Sequence, residues 1–270
     1  MDEKEEGGLV KWKILVQGIS ALISWNAIIS SIDWFNLEFE GYRPDFWLPI
    51  YYYLPVVCVQ PLFIIYSRAF SYNLWINTGY FLTFLALLMI GVFTVSLPKN
   101  IAFYLVCILN SVMGISNSFT QNGLMGLTGV LPALYINYFM VGFGVSGIFI
   151  SSFRLLFLEI FSSSKKFYNY STALYFIIGG LTQIYSIFLQ RQIMNSKVVQ
   201  EHLEKNTQNR VLYQVEMQTI GEDPLKRVNS SYNEYKMLLM KIWQYCFLIF
   251  FNFFITFLLL SQISLKSKIE

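Results

Sequence analysis

Long runs of apolar residues, separated by short polar breaks, recur along the chain. Each run has about the 20 residues that a helix needs to cross a lipid bilayer. Strict alternation of apolar and polar residues, which is typical of membrane-spanning strands, is absent from these runs. Because backbone groups inside a bilayer must bond within their own segment, the pattern predicts transmembrane helices. The predicted spans cover approximately residues 14–35, 47–67, 73–97, 101–131, 133–160, 168–190 and 239–262.

The spacing of these spans predicts how the chain is organised. Six spans follow one another closely, so we expect residues 1–190 to form an N-terminal bundle of six transmembrane helices. Residues 191–238 are the only long polar stretch, and their mixed charges favour a solvated, partly flexible loop. Residues 239–270 hold the seventh span and a short tail. A long loop after six spans is typical of transporters built from two bundles. The predicted fold class is an all-α, polytopic membrane protein.

The amino-acid composition supports a membrane protein and excludes other classes. Apolar residues make up 55% of the 270 residues and charged residues only 13%, whereas soluble domains carry about 25% charged residues. The three cysteines are widely spaced inside apolar runs and fit neither a disulfide framework nor a metal site. The single histidine, His202, lies in the polar loop, and no catalytic motif is present. We therefore expect no enzyme activity, no cofactor and no nucleic-acid partner; the expected surroundings are a lipid bilayer.

The distribution of basic residues predicts the orientation of the spans. Membrane proteins carry more Lys and Arg in cytoplasmic segments than outside. With a cytosolic N-terminus and a cytosolic 191–238 loop, twice as many basic residues lie inside as outside. The inside set is Lys4, Lys11, Lys13, Arg68, Arg191, Lys197, Lys205, Arg210, Lys226, Arg227, Lys236 and Lys241, and the outside set is Arg43, Lys99, Lys165, Lys166, Lys266 and Lys268. Residues 51–53, three tyrosines, would then lie in the outer aromatic belt.

Glycines on two neighbouring spans predict close helix packing. Residues 142–147 read Gly-Phe-Gly-Val-Ser-Gly, which spells a dinucleotide-binding fingerprint. That fingerprint needs a preceding strand and a phosphate in water, whereas this copy lies inside an apolar run. Small residues at this spacing instead let membrane helices approach closely. Because residues 131–132 join the two spans almost directly, we expect a tight antiparallel pair. The expected packing positions are Gly126, Gly129, Gly142, Gly144 and Gly147, with Gly123 on the same stripe.

Few polar or ionisable residues lie inside the spans, so each one is a candidate functional residue. Arg154 either pairs with an acidic group or extends to the outer interface, and both interpretations stay open. Trp25 and Asn26 lie in the middle of the first span, where they suit either a cavity wall or a helix contact. Asn117 and Gln121 add amide groups to the fourth span. Such uncharged groups suit a neutral, hydrogen-bonding solute better than an ion.

Three stretches together resemble the equilibrative nucleoside transporter family. Residues 22–35 contain Leu-Ile-Ser-Trp-Asn and then Asp-Trp-Phe, similar to the family's Leu-Pro-Trp-Asn start and Asp-aromatic-Phe ending. Residues 121–132 resemble its Gly-Leu-x-Gly-x-Leu-Pro stretch, which contains a glutamine. Residues 142–147 with Arg154 are similar to its Gly-Gln-Gly span and arginine. The stretches occur in the family's order, and the resemblance covers essentially the whole chain.

The chain departs from the family pattern in two residues and in its number of spans. Ser24 stands where the family commonly has proline, and Phe143 replaces a glutamine. The family has eleven spans, whereas seven are predicted here, so the resemblance covers about the first two-thirds of its architecture. The fold that it implies is a major-facilitator-like first bundle of six helices plus one further span.

The resemblance implies roles for four residues. Trp25 would stack on the nucleobase or enclose it, and Gln121 would hydrogen-bond it. Ile29, one turn after Trp25, would line the same cavity. Arg154 would pair with an acidic residue of the second bundle and take part in gating or proton coupling. No metal ligand is implied.

The function expected from the resemblance is movement of nucleosides or nucleobases across a plasma or organellar membrane. The mechanism would be alternating access, either facilitative or proton-linked. A chain with one bundle and one further span would be incomplete, or would self-associate to complete the pathway. The alternative is a non-transporting membrane receptor or regulatory relative, which would recruit its partners through the 191–238 loop.

Overall fold

The chain is helical throughout the part that the structure describes. In this computed structural model the described residues are 3–66, 71–161 and 165–219, with the isolated helical positions Met240, Trp243, Phe247 and Phe251. The elements within these ranges are α-helices, which confirms the predicted fold class. The seventh predicted span lies outside the described residues except for those four positions, so it stays a prediction.

Eight helices lie within the described ranges. Their bounds are α1 Glu3–Ser30, α2 Ile32–Glu38, α3 Pro44–Tyr66, α4 Tyr72–Ser96, α5 Lys99–Val130, α6 Ala133–Phe161, α7 Lys165–Met194 and α8 Lys197–Thr219. Helices α3 to α7 match the second to sixth predicted spans within a few residues. Helix α1 begins well before its predicted span, because the polar residues ahead of the apolar run continue the same helix.

Five of the described helices are long and apolar enough to cross a membrane. The spanning stretches are Glu6–Ser30, Tyr72–Ser96, Lys99–Val130, Ala133–Phe157 and Tyr170–Met194. Helix α3 covers the remaining span among the first six that the sequence predicts. The protein is therefore an integral, multi-pass membrane protein, as the apolar pattern predicts.

Short breaks separate the first three helices. Helix α1 ends at Ser30 and α2 begins at Ile32, so the first predicted span is interrupted near its end. Between α2 and α3 the chain turns through Gly41 at φ +91° and Arg43 at φ +53°. Glycine adopts this left-handed backbone without steric cost. Pro44 then occupies the first position of α3, where its missing N–H needs no partner.

The long helices pack in a defined order. Helix α1 lies against α6 and α7, α4 lies between α5 and α7, and α3 packs on α5. Buried apolar side chains form two groups. One group includes Trp34 and Phe35 beyond the end of α1, and the other includes Ile14 and Phe139 near the start of α1. Helix α1 thus contributes to both parts of the core.

The glycines pack between pairs of helices that differ from the pair that the sequence predicted. Gly142 on α6 lies against Gly18 on α1, and a Cβ atom on Gly142 would collide with the carbonyl oxygen of Leu15. Gly126 on α5 faces α4, because a Cβ atom there would lie 2.6 Å from Cε1 of Tyr72. The prediction that these glycines hold α5 and α6 together as a tight pair is therefore wrong. The glycine contacts join α6 to α1 and α5 to α4.

Three of the predicted packing positions are not tight contacts. Among the described residues, a Cβ atom on Gly129 or Gly144 would meet open space, which corrects the prediction for both positions. A Cβ atom on Gly147 would lie 3.8 Å from Nδ2 of Asn26, which is an ordinary contact. The physical reason is the helical period. Successive positions of a small-residue stretch point in different directions, so only some of them face a neighbouring helix.

Helix α8 occupies part of the stretch that the sequence presents as a flexible loop. The backbone N–H of Lys197 donates to Oε1 of Glu6 at 2.9 Å, so a carboxylate from α1 satisfies a free donor at the start of α8. Val199 is fully buried beside Ile193. The chain divides into two compact units, residues 1–206 and 207–270. The first unit therefore extends past residue 190 into α8.

Candidate functional site

An aromatic cluster surrounds Trp25 where α1 approaches α3. The indole of Trp25 stacks on the ring of Tyr52 with 4.3 Å between centroids and 27° between planes. Tyr53 packs its edge against the same indole at 4.8 Å and 71°. These contacts leave Trp25 only 8% exposed. Three aromatic rings from two helices thus meet near the end of α1, five residues before Ser30, in an arrangement that suits a flat heterocycle.

The amide of Asn117 ties this cluster together from α5. Its Nδ2 donates to the hydroxyl oxygen of Tyr52 at 2.6 Å and to Oγ of Ser24 at 2.7 Å. Both bonds are buried, and they join α1, α3 and α5 at one point. Ser24 stands where the resemblance expects proline, and its hydroxyl provides one of the two acceptors. The departure from the family pattern therefore has a structural role in this chain.

The two other predicted substrate contacts lie one helical turn from these residues. Gln121 follows Asn117 by one turn of α5 and is half-buried. Ile29 follows Trp25 by one turn of α1 and is 38% exposed. Because α1 and α5 run in opposite directions, these two turns extend from the bond between Ser24 and Asn117 toward opposite ends of the bundle. Contact of these side chains with a substrate stays a prediction.

Further uncharged groups line the contact between α1 and α6. Nδ2 of Asn26 donates to Oγ of Ser146 at 3.0 Å. One turn farther along α1, the hydroxyl groups of Ser30 and Ser151 lie 3.3 Å apart. The groups around Trp25 are thus amides, hydroxyls and aromatic rings. This set can hydrogen-bond and stack with a neutral solute.

Arg154 is buried within the first unit, which decides between the two interpretations of its sequence position. It is 3% exposed, so its guanidinium does not extend to an exposed interface. Nη1 donates to Oγ1 of Thr172 at 3.0 Å, and Cζ lies 5.7 Å from the ring centroid of Tyr175. Nη2 lies 3.7 Å from Oδ2 of Asp33. Three helices, α2, α6 and α7, therefore meet at this one cation.

The structure gives Arg154 an acidic partner within the first unit, and pairing with a second bundle stays a prediction. The resemblance implies an acidic residue from a second bundle, whereas the carboxylate in the structure belongs to Asp33 of α2. The sequence did not indicate this pair because Asp33 is 54% exposed and lies far from Arg154 along the chain. The break at Ser31 lets α2 turn toward α6 and α7, which no local pattern predicts.

Sequence reasoning also misplaced two tyrosines of the site. Tyr52 and Tyr53 were expected in the outer aromatic belt, but Tyr52 is buried and Tyr53 half-buried against Trp25. Their distance from the helix start is the signal that could have located them. Tyr52 is eight residues beyond Pro44, about 12 Å into the helix, which is deeper than an interface position.

Comparison with known proteins gives a family match and several distant relatives. The family model described as "Nucleoside transporter" matches residues 103–269. Equilibrative nucleotide transporter 1 of Arabidopsis thaliana is 23% identical over 197 residues, which cover 71% of this chain and 44% of the relative. Equilibrative nucleotide transporter 7 of the same plant is 27% identical over 184 residues, which cover 64% of this chain and 42% of the relative. Equilibrative nucleoside transporter 4 of Danio rerio is 22% identical over 235 residues, which cover 82% of this chain and 44% of the relative. The chain spans less than half the length of each of these relatives.

Proposed function

Because this chain belongs to the nucleoside transporter family, we propose that it moves nucleosides or nucleobases across a membrane. The observation that carries the proposal is the uncharged site around Trp25. The indole of Trp25 offers a nucleobase an aromatic plane, and the half-buried amide of Gln121 offers hydrogen-bonding groups, without a fixed charge beside them. A neutral heterocyclic solute fits this chemistry better than an ion does.

The proposed contacts follow the positions of the side chains. Trp25 stacks on the base or encloses it, and the amide of Gln121, one turn beyond Asn117, hydrogen-bonds it. Ile29 lines the same cavity one turn beyond Trp25, on the side away from Gln121. Alternating access is supported by the covering of Trp25, since Tyr52 and Tyr53 occupy the space beside its ring. A base reaches the indole when α1 and α3 separate, and it is enclosed when they close.

Arg154 takes part in gating through its contacts on three helices. The pair with Asp33 holds α2 against α6 and α7 at the end of the unit where α1 stops. Asp33 is half exposed, so the pair is open to solvent on its acidic side. The proposed transport is facilitative or proton-linked. In the proposed orientation, the N-terminus and the 191–238 loop are cytosolic.

The direct test is uptake of labelled adenosine, uridine and hypoxanthine by cells that lack nucleoside transport. Cells expressing the chain are expected to show saturable uptake that unlabelled nucleoside competes. Surface expression is measured in parallel by labelling intact cells. Good surface expression without uptake or binding of any of the three solutes would overturn the proposal. Uptake by residues 1–270 alone would also support self-association, to be measured by cross-linking.

A tryptophan substitution distinguishes a role in stacking on the substrate from a general effect of losing a tryptophan from α1. Trp25→Ala is expected to lower uptake about tenfold or more, since base stacking on an aromatic ring contributes about 1–3 kcal/mol. Trp12→Ala is the matched control, because Trp12 lies on the same helix but is 62% exposed. Equal uptake by the two variants at matched surface expression would exclude the stacking role of Trp25.

A further inference from the structure

A reciprocal pair of amides joins α3 to α5. Nε2 of Gln60 donates to Oδ1 of Asn122, and Nδ2 of Asn122 donates to Oε1 of Gln60, both at 3.0 Å. Asn122 also donates to the carbonyl oxygen of Ser118 at 2.9 Å. Gln60 is exposed and Asn122 half-buried, so the pair lies at the surface of the first unit.

The depth of the pair indicates what it faces. Gln60 lies six residues before the end of α3 at Tyr66, and Asn122 lies eight residues before the end of α5 at Val130. At 1.5 Å per residue, these positions are about 9 and 12 Å inside the helix ends. Polar groups at such depth face the bundle interior or a water-filled cavity, because exposure to lipid is costly. We therefore expect the amide pair to face the bundle interior or a water-filled cavity.

The pair lies on the same side of α3 as the aromatic cluster. Tyr53, which contacts the indole of Trp25, precedes Gln60 by seven residues. Seven residues make almost two turns, so the side chains of Tyr53 and Gln60 lie on one stripe of the helix. This stripe leads from the aromatic cluster to the amide pair over about 10 Å.

We propose that Gln60 and Asn122 form a second base-recognition site along the transport pathway, which rests on the function proposed above. Each amide carries a donor beside an acceptor, and so does the N6–H and N7 edge of adenine. An arriving base bonds to one amide in place of the other amide, and the displaced amide bonds to water at this exposed position, so every polar group keeps a hydrogen bond. Without substrate, the two amides bond to each other and hold α3 against α5.

Accessibility to a charged reagent tests whether the pair faces water. Gln60→Cys is made with Cys58, Cys107 and Cys246 replaced by Ala, and treated with a negatively charged methanethiosulfonate. It is expected to react about ten times faster than the control, because thiol modification needs a hydrated thiolate. Saturating adenosine is expected to slow the reaction about threefold or more by covering the site.

The control position is Tyr185→Cys in the same background. Tyr185 lies nine residues before the end of α7 at Met194, at a depth similar to that of Gln60. It is 55% exposed, and it points away from α1 because Gln183, two residues before it, bonds to the Ser20 carbonyl oxygen. Reaction of the Gln60 variant at the rate of this control would overturn the proposal.

Binding of two purine nucleosides tests recognition. Purified chain is expected to bind adenosine about ten times more tightly than purine riboside, which lacks the 6-amino group. Asn122→Leu and Gln60→Leu are expected to bring the ratio of the two affinities, adenosine over purine riboside, close to one. The exchanged pair, Gln60→Asn with Asn122→Gln, is expected to restore it. A purely structural role would lower the thermal unfolding temperature of the Leu variants and leave the ratio unchanged, which would overturn the proposal.

The outcomes separate this proposal from the function on which it rests. A chain that binds none of adenosine, uridine and hypoxanthine contradicts both proposals. A chain that binds adenosine, with an unchanged ratio in the Leu variants, contradicts only the second site. Loss of the ratio in both Leu variants and its return in the exchanged pair support the second site.

Discussion

The contact between α1 and α6 differs from the contact between α3 and α5 in how much of it is hydrogen-bonded. The first is centred on Gly18 and Gly142, where the two backbones touch, and its hydrogen bonds lie beyond them, between Asn26 and Ser146 and between Ser30 and Ser151. The second also has a glycine against a backbone, Gly114 beside the Tyr52 carbonyl oxygen, but it is hydrogen-bonded along its length. From one end to the other, the α5 side chains that bond to α3 are Asn110 to the Leu48 carbonyl oxygen, Ser111 to the Tyr51 carbonyl oxygen, Asn117 to the Tyr52 hydroxyl and Asn122 to Gln60.

This difference shows which contact can change its partners. A backbone contact through glycine depends on close packing, so its atoms have no other packing partner once the helices separate. A side-chain hydrogen bond can exchange its partner for water or solute at little net cost. We therefore infer that substrate is recognised along α3 and α5, where the exchangeable side-chain hydrogen bonds are more numerous.

The largest expected effect breaks the glycine contact. Gly142→Ala places a Cβ atom against the Leu15 carbonyl oxygen, which belongs to the backbone and cannot rotate away. We expect a loss of about 3 kcal/mol in unfolding free energy, as is usual for overpacked cores. Gly144→Ala, two residues farther along in open space, is expected to stay within about 0.5 kcal/mol. The measurement is equilibrium unfolding in detergent, and equal losses in the two variants would contradict the glycine contact.

A smaller effect is expected at the centre of the hydrogen-bonded contact. Asn117→Ala removes the bonds to Ser24 and Tyr52, which should cost about 1–2 kcal/mol together at the values typical of membrane helices. It should also weaken adenosine binding, since Tyr52 loses its orientation beside Trp25. Asn110→Ala is the matched control, with a buried bond to the α3 backbone. Asn110→Ala should lower the stability but leave adenosine binding unchanged. Reduced adenosine binding in both variants would contradict this difference between the two positions.

The smallest effect is expected at the exposed part of the same contact. Ser111→Ala removes a bond of 2.8 Å to the Tyr51 carbonyl oxygen, but that bond lies at the exposed side of the helices. We expect a loss below about 0.5 kcal/mol, with unchanged adenosine affinity. Unfolding and binding measurements on the purified variant check both values. A loss as large as that of Asn117→Ala would show that burial does not decide the strength of these bonds.

The positions of the long helices could be predicted because they follow from local physics. A span must satisfy its own backbone and present apolar side chains to lipid, so an apolar run of sufficient length is enough to locate it. Helices α3 to α7 follow the predicted runs closely. Helix α2 could not be predicted as a separate element, since its run is continuous with α1 and the break at Ser31 leaves the apolar pattern unchanged.

The candidate site could be predicted only in part. Trp25, Gln121 and Arg154 stand out by residue type and depth, and the resemblance gives them roles. Their surroundings depend on other helices. Tyr52 is far from Trp25 in the chain, and whether a tyrosine lies in an interface belt or against an indole depends on how α3 is rotated.

The sequence by itself determined the membrane setting, the helical fold, the family and the uncharged residues around Trp25. These follow from composition and from residues close together in the chain. Only the tertiary structure decided that Gly142 packs on α1 while Gly144 faces open space, and that Arg154 pairs with Asp33. The reason is geometric. Neighbouring positions of a helix point in different directions, so the rotation of each helix selects which residues meet, and many distant contacts set that rotation together.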